Sequence, residues 1–265
     1  MRVAVLGAGS IGFGTAAFLC DQGHDPILWS PSGERTRALA AGQPLVAIGS
    51  VVGTFRPRVA GSAAEAVADA EAVVLTVPGY GHRAVLDAAA PHLKAGVPFI
   101  ISSHCSLGAL YLSKKLAERG VALPIVAWGT TVPTGRQKGP AEVNVTNVRK
   151  RVDYATVPVA AADEGGAISK AIFGDRFMQR DDVLAISLSN LNPQNHMGIA
   201  LANLTRMEKG ETWGQNDCIT EKVGRLLEAL DAERIAIARA LGYSVRTIFE
   251  HFQLSFGAPP GTVAE

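Results

Sequence analysis

Two short stretches hold the residue types from which chemistry could be built. Near the N-terminus, Val3-Ala4-Val5-Leu6 runs directly into Gly7-Ala8-Gly9-Ser10-Ile11-Gly12. A G-x-G-x-x-G run alone is a weak signal. Placed after a β-branched run and at the opening of a helix, it is the signature of a dinucleotide site. Gly7 permits the tight turn, Gly9 lets the backbone approach a pyrophosphate, and Gly12 lets helix and strand pack closely. Ser10 and Ile11 open the helix, whose free N–H groups and positive dipole end face the anion. Far along the chain, Ser189-Asn190-Leu191-Asn192-Pro193-Gln194-Asn195-His196 gathers polar residues within an apolar segment. Asn192-Pro193 predicts a helix start, with Asn as N-cap and Pro at the first helical position. His196 then lies in or just after the first turn, and Asn203, seven residues on, shares its face. A histidine and an asparagine so placed can orient and protonate a carbonyl-derived group. A helix N-terminus disfavours imidazolium, so a proton-donating histidine there gains from a nearby carboxylate. Asp217, Glu208, Glu211 and Glu221 are the nearest in sequence, and spacing alone selects none of them.

The choice of nucleotide is made at the end of the second strand. An NAD site usually carries Asp or Glu there, about 20 residues on from the glycine loop, to bind the ribose hydroxyls. Here Ser30 holds that place, eighteen residues after Gly12, in Trp29-Ser30-Pro31-Ser32-Gly33-Glu34-Arg35. Serine does not repel a 2′-phosphate. Ser30 and Ser32 can donate to it, and Arg35 or Arg37 can pair with it. Glu34 argues the other way but lies on the following turn. NADP(H) is therefore expected, with NAD as second choice.

These residues need elements to hold them. Val3 to Leu6, Pro26 to Trp29, Ala72 to Val77, Pro98 to Ile101 and Ile125 to Trp128 read as buried strands. Ile11 to Gln22, Ala63 to Asp69, Tyr80 to Leu93 and Leu107 to Arg119 read as helices between them. Gly23, Gly96 and Gly120 follow three of those helices as left-handed caps. Such alternation predicts a doubly wound α/β fold, a parallel sheet with helices on both faces. Gln43 to Ala60 departs from it and predicts a β-hairpin insertion. Glu142 to Thr146 and Val152 to Val157 predict two more strands, while Thr130 to Lys138 reads as a loop at a strand's carboxyl end. After about Ala161 the periodicity turns helical, with Asp182 to Leu191, Pro193 to Met207 and Asn216 to Leu241 as main helices. The last carries Val223, Leu226, Leu227, Leu230, Ile235, Ala238 and Leu241 as one apolar stripe. The domain boundary is expected near residues 158–166, giving a dinucleotide-binding domain over 1–160 and a helical substrate domain over 161–265.

Composition agrees with a buried core. The 265 residues are 48% hydrophobic and 18% charged, with net charge +1, a pI near 7.8 and mean hydropathy +0.18. That excludes a disordered chain and offers no electrostatic footprint for nucleic acid or a membrane surface. No apolar run has the length of about 20 residues that a membrane helix needs. Gly7, Gly9, Gly12 and Gly14 weaken a reading of the N-terminus as a secretory signal. Cys20, Cys105 and Cys218 lie far apart, which fits neither a disulfide framework nor a metal pair, so no metal is expected and a reducing, cytoplasmic setting is. His104-Cys105-Ser106 lacks an orienting third group and is not read as a nucleophile site. Ser102 or Ser103 is a better candidate for contact near the nicotinamide, and His82 reads as a packing residue.

The glycine loop, Val77-Pro78 after the fourth strand, and Asn190-Leu191-Asn192-Pro193-Gln194-Asn195-His196 together resemble the opine dehydrogenase family, the octopine and nopaline dehydrogenases, over essentially the whole chain. The resemblance implies a Rossmann domain followed by a helical domain, with the site in the cleft between them. It implies reduction, with NAD(P)H, of the imine formed from an amino acid and a 2-oxo acid to a secondary amine dicarboxylate. The family's catalytic histidine carries over to His196 and its asparagine of the following helix to Asn203. Val77 and Pro78 join the expected cofactor-binding residues. The family pairs its histidine with an aspartate of a later segment, and no residue of this chain takes that place, so the helical domain is expected to be truncated. A substrate with carboxylates calls for cations: Arg136 could clamp one through its planar fork, Arg206 is a second candidate, and Asn192 joins them as substrate-binding. The apolar C-terminal helices are compatible with a homodimer. Two enzymes of related plan, ketopantoate-type 2-oxo acid reductases and glycerol-3-phosphate-type dehydrogenases, usually rely on a helical-domain lysine. Here Lys209 and Lys222 stand in no such motif. A non-catalytic NADP-binding protein is the remaining alternative.

Overall fold

The computed structural model describes residues 1–104 and 107–256, so Cys105 and the Gly257-to-Gly261 loop lie outside the described residues. The chain divides into two compact units, Met1–Ser187 and Leu188–Glu265. In the first, β1 (Arg2–Leu6), β2 (Asp25–Trp29), β5 (Arg58–Val59), β6 (Ala72–Leu75), β7 (Phe99–Ile101), β8 (Ile125–Trp128), β11 (Val152–Val157) and β12 (Phe177–Gln179) form one sheet. Its order is β12-β11-β8-β7-β6-β1-β2-β5. The strands from β5 to β8 run parallel, and β11 joins β8 antiparallel. Side chains alternate across each strand. Val3 and Val5 enter one buried cluster with Phe13, Trp128 and Phe173, whereas Ala4 and Leu6 enter another with Leu75, Leu86 and Phe99. Both faces are therefore covered, which is why these strands read as continuous apolar runs.

The helices of this unit are α1 (Ser10–Asp21), α2 (Arg37–Ala40), α3 (Ala63–Val67), α4 (Gly79–Ala89), α5 (Gly108–Ala117), α6 (Ala162–Phe173) and, at its edge, α7 (Val183–Ser189). The expected hairpin insertion is present as β3 (Leu45–Gly49) and β4 (Gly53–Phe55), paired antiparallel. It belongs to a second, four-stranded sheet, β4-β3-β10-β9. There β9 (Pro133–Gly139) and β10 (Glu142–Val148) complete the layer, so the segment expected as a loop is a strand. The small sheet lies against α1, and a Cβ on Gly14 would meet Pro133 and Val145 at 3.9 Å. Sandwiched between two sheets, α1 is buried from Gly12 through Leu19, and its small residues permit that approach.

The second correction concerns the boundary. Residues 161–187 pack with the first unit: Trp128 Nε1 donates to Ser169 Oγ at 3.2 Å, β12 pairs with β11, and Ile186 is in the main core. The division at Ser187 therefore falls later than the Ala-Gly-rich stretch near 161, which is part of α6. The second unit holds α8 (Asn192–Ala202), α9 (Leu204–Glu208), α10 (Glu221–Ala240) and α11 (Ile248–Phe256). Leu191, Ile199, Val223, Leu227 and Ile248 form its core.

Candidate active site

The groove of the first unit runs along the carboxyl ends of the central strands and has a volume of about 530 Å³. That is ample for part of a dinucleotide, since ligand pockets span about 300–1,000 Å³. Gly7, Gly9, Ser10, Ile11, Ser30, Arg35, Val77 and Pro78 all line it, as expected from the sequence, with Thr76, Ser102, Ser103 and Thr131 added. Gly7 has φ +126°, and a Cβ there would stand 2.7 Å from Val77 Cγ1. A Cβ on Gly12 would stand 1.9 Å from the Gly7 carbonyl oxygen. Gly12 thus packs beneath the loop rather than lining the groove. Thr76 closes the turn from below, its hydroxyl donating to the Gly7 carbonyl at 3.0 Å. Gly9 caps α1 without any side-chain acceptor, so the helix offers its first N–H groups to an anion. The Ser102 hydroxyl is buried in the groove without a partner. Strain-free glycines at two contacts, an open helix N-terminus and an orphaned hydroxyl together fit a dinucleotide.

At the β2 end, Ser30 is buried and lines the groove, and an Arg35 Nη1 lies 3.6 Å from where a Cβ on Gly9 would be. Glu34 pairs with Arg37 at 3.5 Å, which leaves Arg35 without a carboxylate partner among the described residues. Ser32 does not line the groove; its hydroxyl accepts from Glu34 N at 3.4 Å. Below the groove, His82 meets the Val77 carbonyl at 3.2 Å. His104 is fully buried, and its Nε2 accepts from Ala109 N at 3.3 Å. Burial, with His82 nearby, pushes the His104 imidazole down to about 4, so it is neutral at physiological pH.

In the second unit, α8 begins at Asn192, one residue before the predicted first position, with Pro193 in its opening turn. Asn190 Oδ1 accepts from Asn192 N at 3.0 Å, which starts the helix from one residue farther back than expected. His196 is exposed. The Gln215 side-chain amide lies against its Nδ1. Asn203 is buried. The helix ends at Ala202, Asn203 adopts φ −119° and ψ 21°, and its Nδ2 donates to the Ile199 carbonyl at 3.0 Å and the Cys218 carbonyl at 3.4 Å. A buried amide at a helix end satisfies carbonyls that would otherwise be orphaned. Arg206 is likewise engaged within this unit, with Glu211 at 2.7 Å and the Cys218 sulfur at 2.8 Å, and it stacks on Trp213. Arg136 lies on the outward face of β9, an edge strand, because Pro133 and Gly135 turn inward toward α1.

Sequence reasoning missed the polar centre of this unit. Asp231 (3% exposed) and Arg234 (8% exposed) form a buried ion pair at 2.7 Å on α10. Asp231 also accepts from Gln194 Nε2 at 3.0 Å and from Ile248 N at 2.8 Å. Arg234 donates to the Leu188 and Arg246 carbonyls. The available signal was two opposite charges at i,i+3 inside the apolar stripe. Leu226 and Leu241 of that stripe are exposed instead.

Two family models match different parts of the chain. Residues 3–158 match the family model for ketopantoate reductase PanE/ApbA, and residues 179–265 match NAD/NADP octopine/nopaline dehydrogenase, alpha-helical domain. The opine dehydrogenase of Arthrobacter sp. (strain 1C) is 32% identical over 269 residues, covering 99% of this chain and 74% of the relative. The chain belongs to the opine dehydrogenase family. Octopine dehydrogenase with NADH and L-arginine superposes with TM-score 0.77 at 16% identity, over 100% of this chain and 72% of that one. Yersinopine dehydrogenase with NADP+ bound gives TM-score 0.67 at 19% identity, over 93% and 65%. These two share the fold. An opine dehydrogenase-like protein is an NAD(P)-dependent oxidoreductase acting on CH–NH bonds. No group of three or more His, Cys, Asp or Glu arranged to hold a metal exists among the described residues. No helix among them is long and apolar enough to cross a membrane.

Proposed function

We propose that this chain uses NADPH to reduce the imine formed between an amino acid and a 2-oxo acid, giving a secondary amine dicarboxylate. The nucleotide supplies the hydride to carbon. Nitrogen requires one proton, and His196 supplies it as general acid. The observation that carries this is His196 itself: exposed near the start of α8, on a turn anchored through Gln194 to a buried carboxylate. Preference for NADPH is supported by Ser30 in the position of the usual acidic residue and by Arg35, a groove cation with no acidic partner among the described residues. Asn203 Nδ2 and Arg206 Nε and Nη1 make local bonds, and Arg136 and Asn192 are exposed.

The test is NADPH oxidation at 340 nm with pyruvate or 2-oxoglutarate, with and without pooled amino acids. Amino-acid-dependent oxidation is expected, falling on the order of 10²- to 10⁴-fold in His196→Ala with NADPH affinity unchanged. A loss of less than about tenfold removes His196 from proton transfer. Oxidation with oxo acid alone would instead mark a simple 2-oxo acid reductase, the activity named by the family model over residues 3–158.

A further inference from the structure

Behind the groove sits a cation that none of the preceding roles uses. Arg149 lies between β10 and β11 and is partly buried. Its Nη1 donates to the Thr131 carbonyl at 2.9 Å and to Thr131 Oγ1 at 3.1 Å. Among the described residues it makes no ion pair, and burial lowers its affinity for its proton. A desolvated guanidinium with only neutral partners is costly unless an anion offsets it. Thr131 itself lines the groove. Because Arg149 donates to Oγ1, the threonine hydroxyl has its own hydrogen free to donate into the groove.

Position selects which anion. Thr131 follows β8, and β8 lies three strands from β1 in the direction opposite to β2. The glycine loop after β1 and Arg35 beyond β2 line the groove and, in the proposed function, take the phosphates of the nucleotide. A dinucleotide laid across a switch point brings its nicotinamide to the other side, and that end carries no negative charge. A cation-backed donor at the β8 end therefore matches a carboxylate of the substrate.

We propose that Thr131, backed by Arg149, is the point at which the 2-oxo acid's carboxylate is held, resting on the imine-reductase reading above. Thr131 touches the carboxylate. Arg149 is a positioning residue that fixes the threonine rotamer and supplies charge from behind. A hydrogen bond to a charged group is worth about tenfold or more in affinity.

The probe is oxamate, a carboxylate analogue of a small 2-oxo acid, titrated into the protein–NADPH complex by fluorescence. Thr131→Val is expected to weaken oxamate about tenfold or more, to raise the pyruvate KM by the same factor with kcat little changed, and to leave the NADPH Kd within about twofold. Thr131→Ser keeps the donor and should restore binding. Arg149→Met should follow Thr131→Val, and the threonine pair keeps the test intact if that variant does not fold. Unchanged oxamate affinity in Thr131→Val, equal loss of NADPH, or no oxamate binding by the wild type would each overturn the proposal. Thr131-dependent oxamate binding together with amine-independent turnover would support this site and overturn the imine reading. Amine-dependent turnover indifferent to Thr131→Val would do the reverse.

Discussion

In the first unit, the loop proposed to meet the nucleotide is main chain held in place by glycine contacts. Gly7 and Gly12 have no room for a Cβ. In the helical unit the order is reversed. Its backbone is ordinary helix, and side chains hold it: Asp231 and Arg234 join Leu188, the first turn of α8 and the start of α11. A site built from backbone announces itself in sequence, because only glycine fits. A site built from side-chain bonds has no such signature, because the same residue types are usual on solvated helix faces.

The largest expected effect tests the helical half of that contrast. Asp231→Ala strands the Arg234 guanidinium inside the unit, with only the Leu188 and Arg246 carbonyls as partners. Removing one member of a buried pair costs about 3–5 kcal/mol. Urea unfolding should show that loss, and His196-dependent turnover should fall with it, because Gln194 loses its anchor two residues before His196. A change under about 1 kcal/mol would mean the pair is dispensable and the unit is held by its apolar core alone.

The next effect separates two glycines on one helix. In Gly12→Ala the new Cβ meets the Gly7 carbonyl, and the main chain must move. Overpacking of this kind costs about 1–3 kcal/mol, and here the displaced segment is the phosphate loop, so NADPH affinity should drop about tenfold or more. Gly14→Ala has 3.9 Å to its neighbours and gains about 1 kcal/mol of helix propensity. Its NADPH titration should match wild type. Equal losses in both variants would show that α1 tolerates no added atom anywhere, and that the loop contact is not special.

The same distinction explains what was legible. The parallel strands and the glycine loop were, because burial on both faces produces unbroken apolar runs and tight turns demand glycine. β9 was not. Pro133, Gly135, Arg136 and Lys138 read as a loop, yet an edge strand tolerates proline, and its inner positions need small residues to approach α1. The burial of Asn203 was invisible to a periodicity argument, since spacing gives the face of a helix and not what covers it. Arg149 lies in an Arg-Lys-Arg run that reads as solvated charge. Only its bonds to Thr131 distinguish it from its neighbours.

The smallest effect concerns a charged side chain of the groove. Arg35 approaches Gly9, and Glu34 is engaged by Arg37. If Arg35 pairs with the 2′-phosphate, Arg35→Gln should raise the NADPH Kd about tenfold, as for a charge-assisted bond at an exposed site, and leave the NADH Kd unchanged. The NADPH-over-NADH ratio, measured by nucleotide fluorescence at two salt concentrations, is the discriminating quantity. An arginine acting on the 2′-phosphate alone makes that ratio fall with salt in wild type and stay flat in the variant. Parallel loss of both nucleotides would move Arg35 to the pyrophosphate, where it would help the glycine loop without choosing between cofactors.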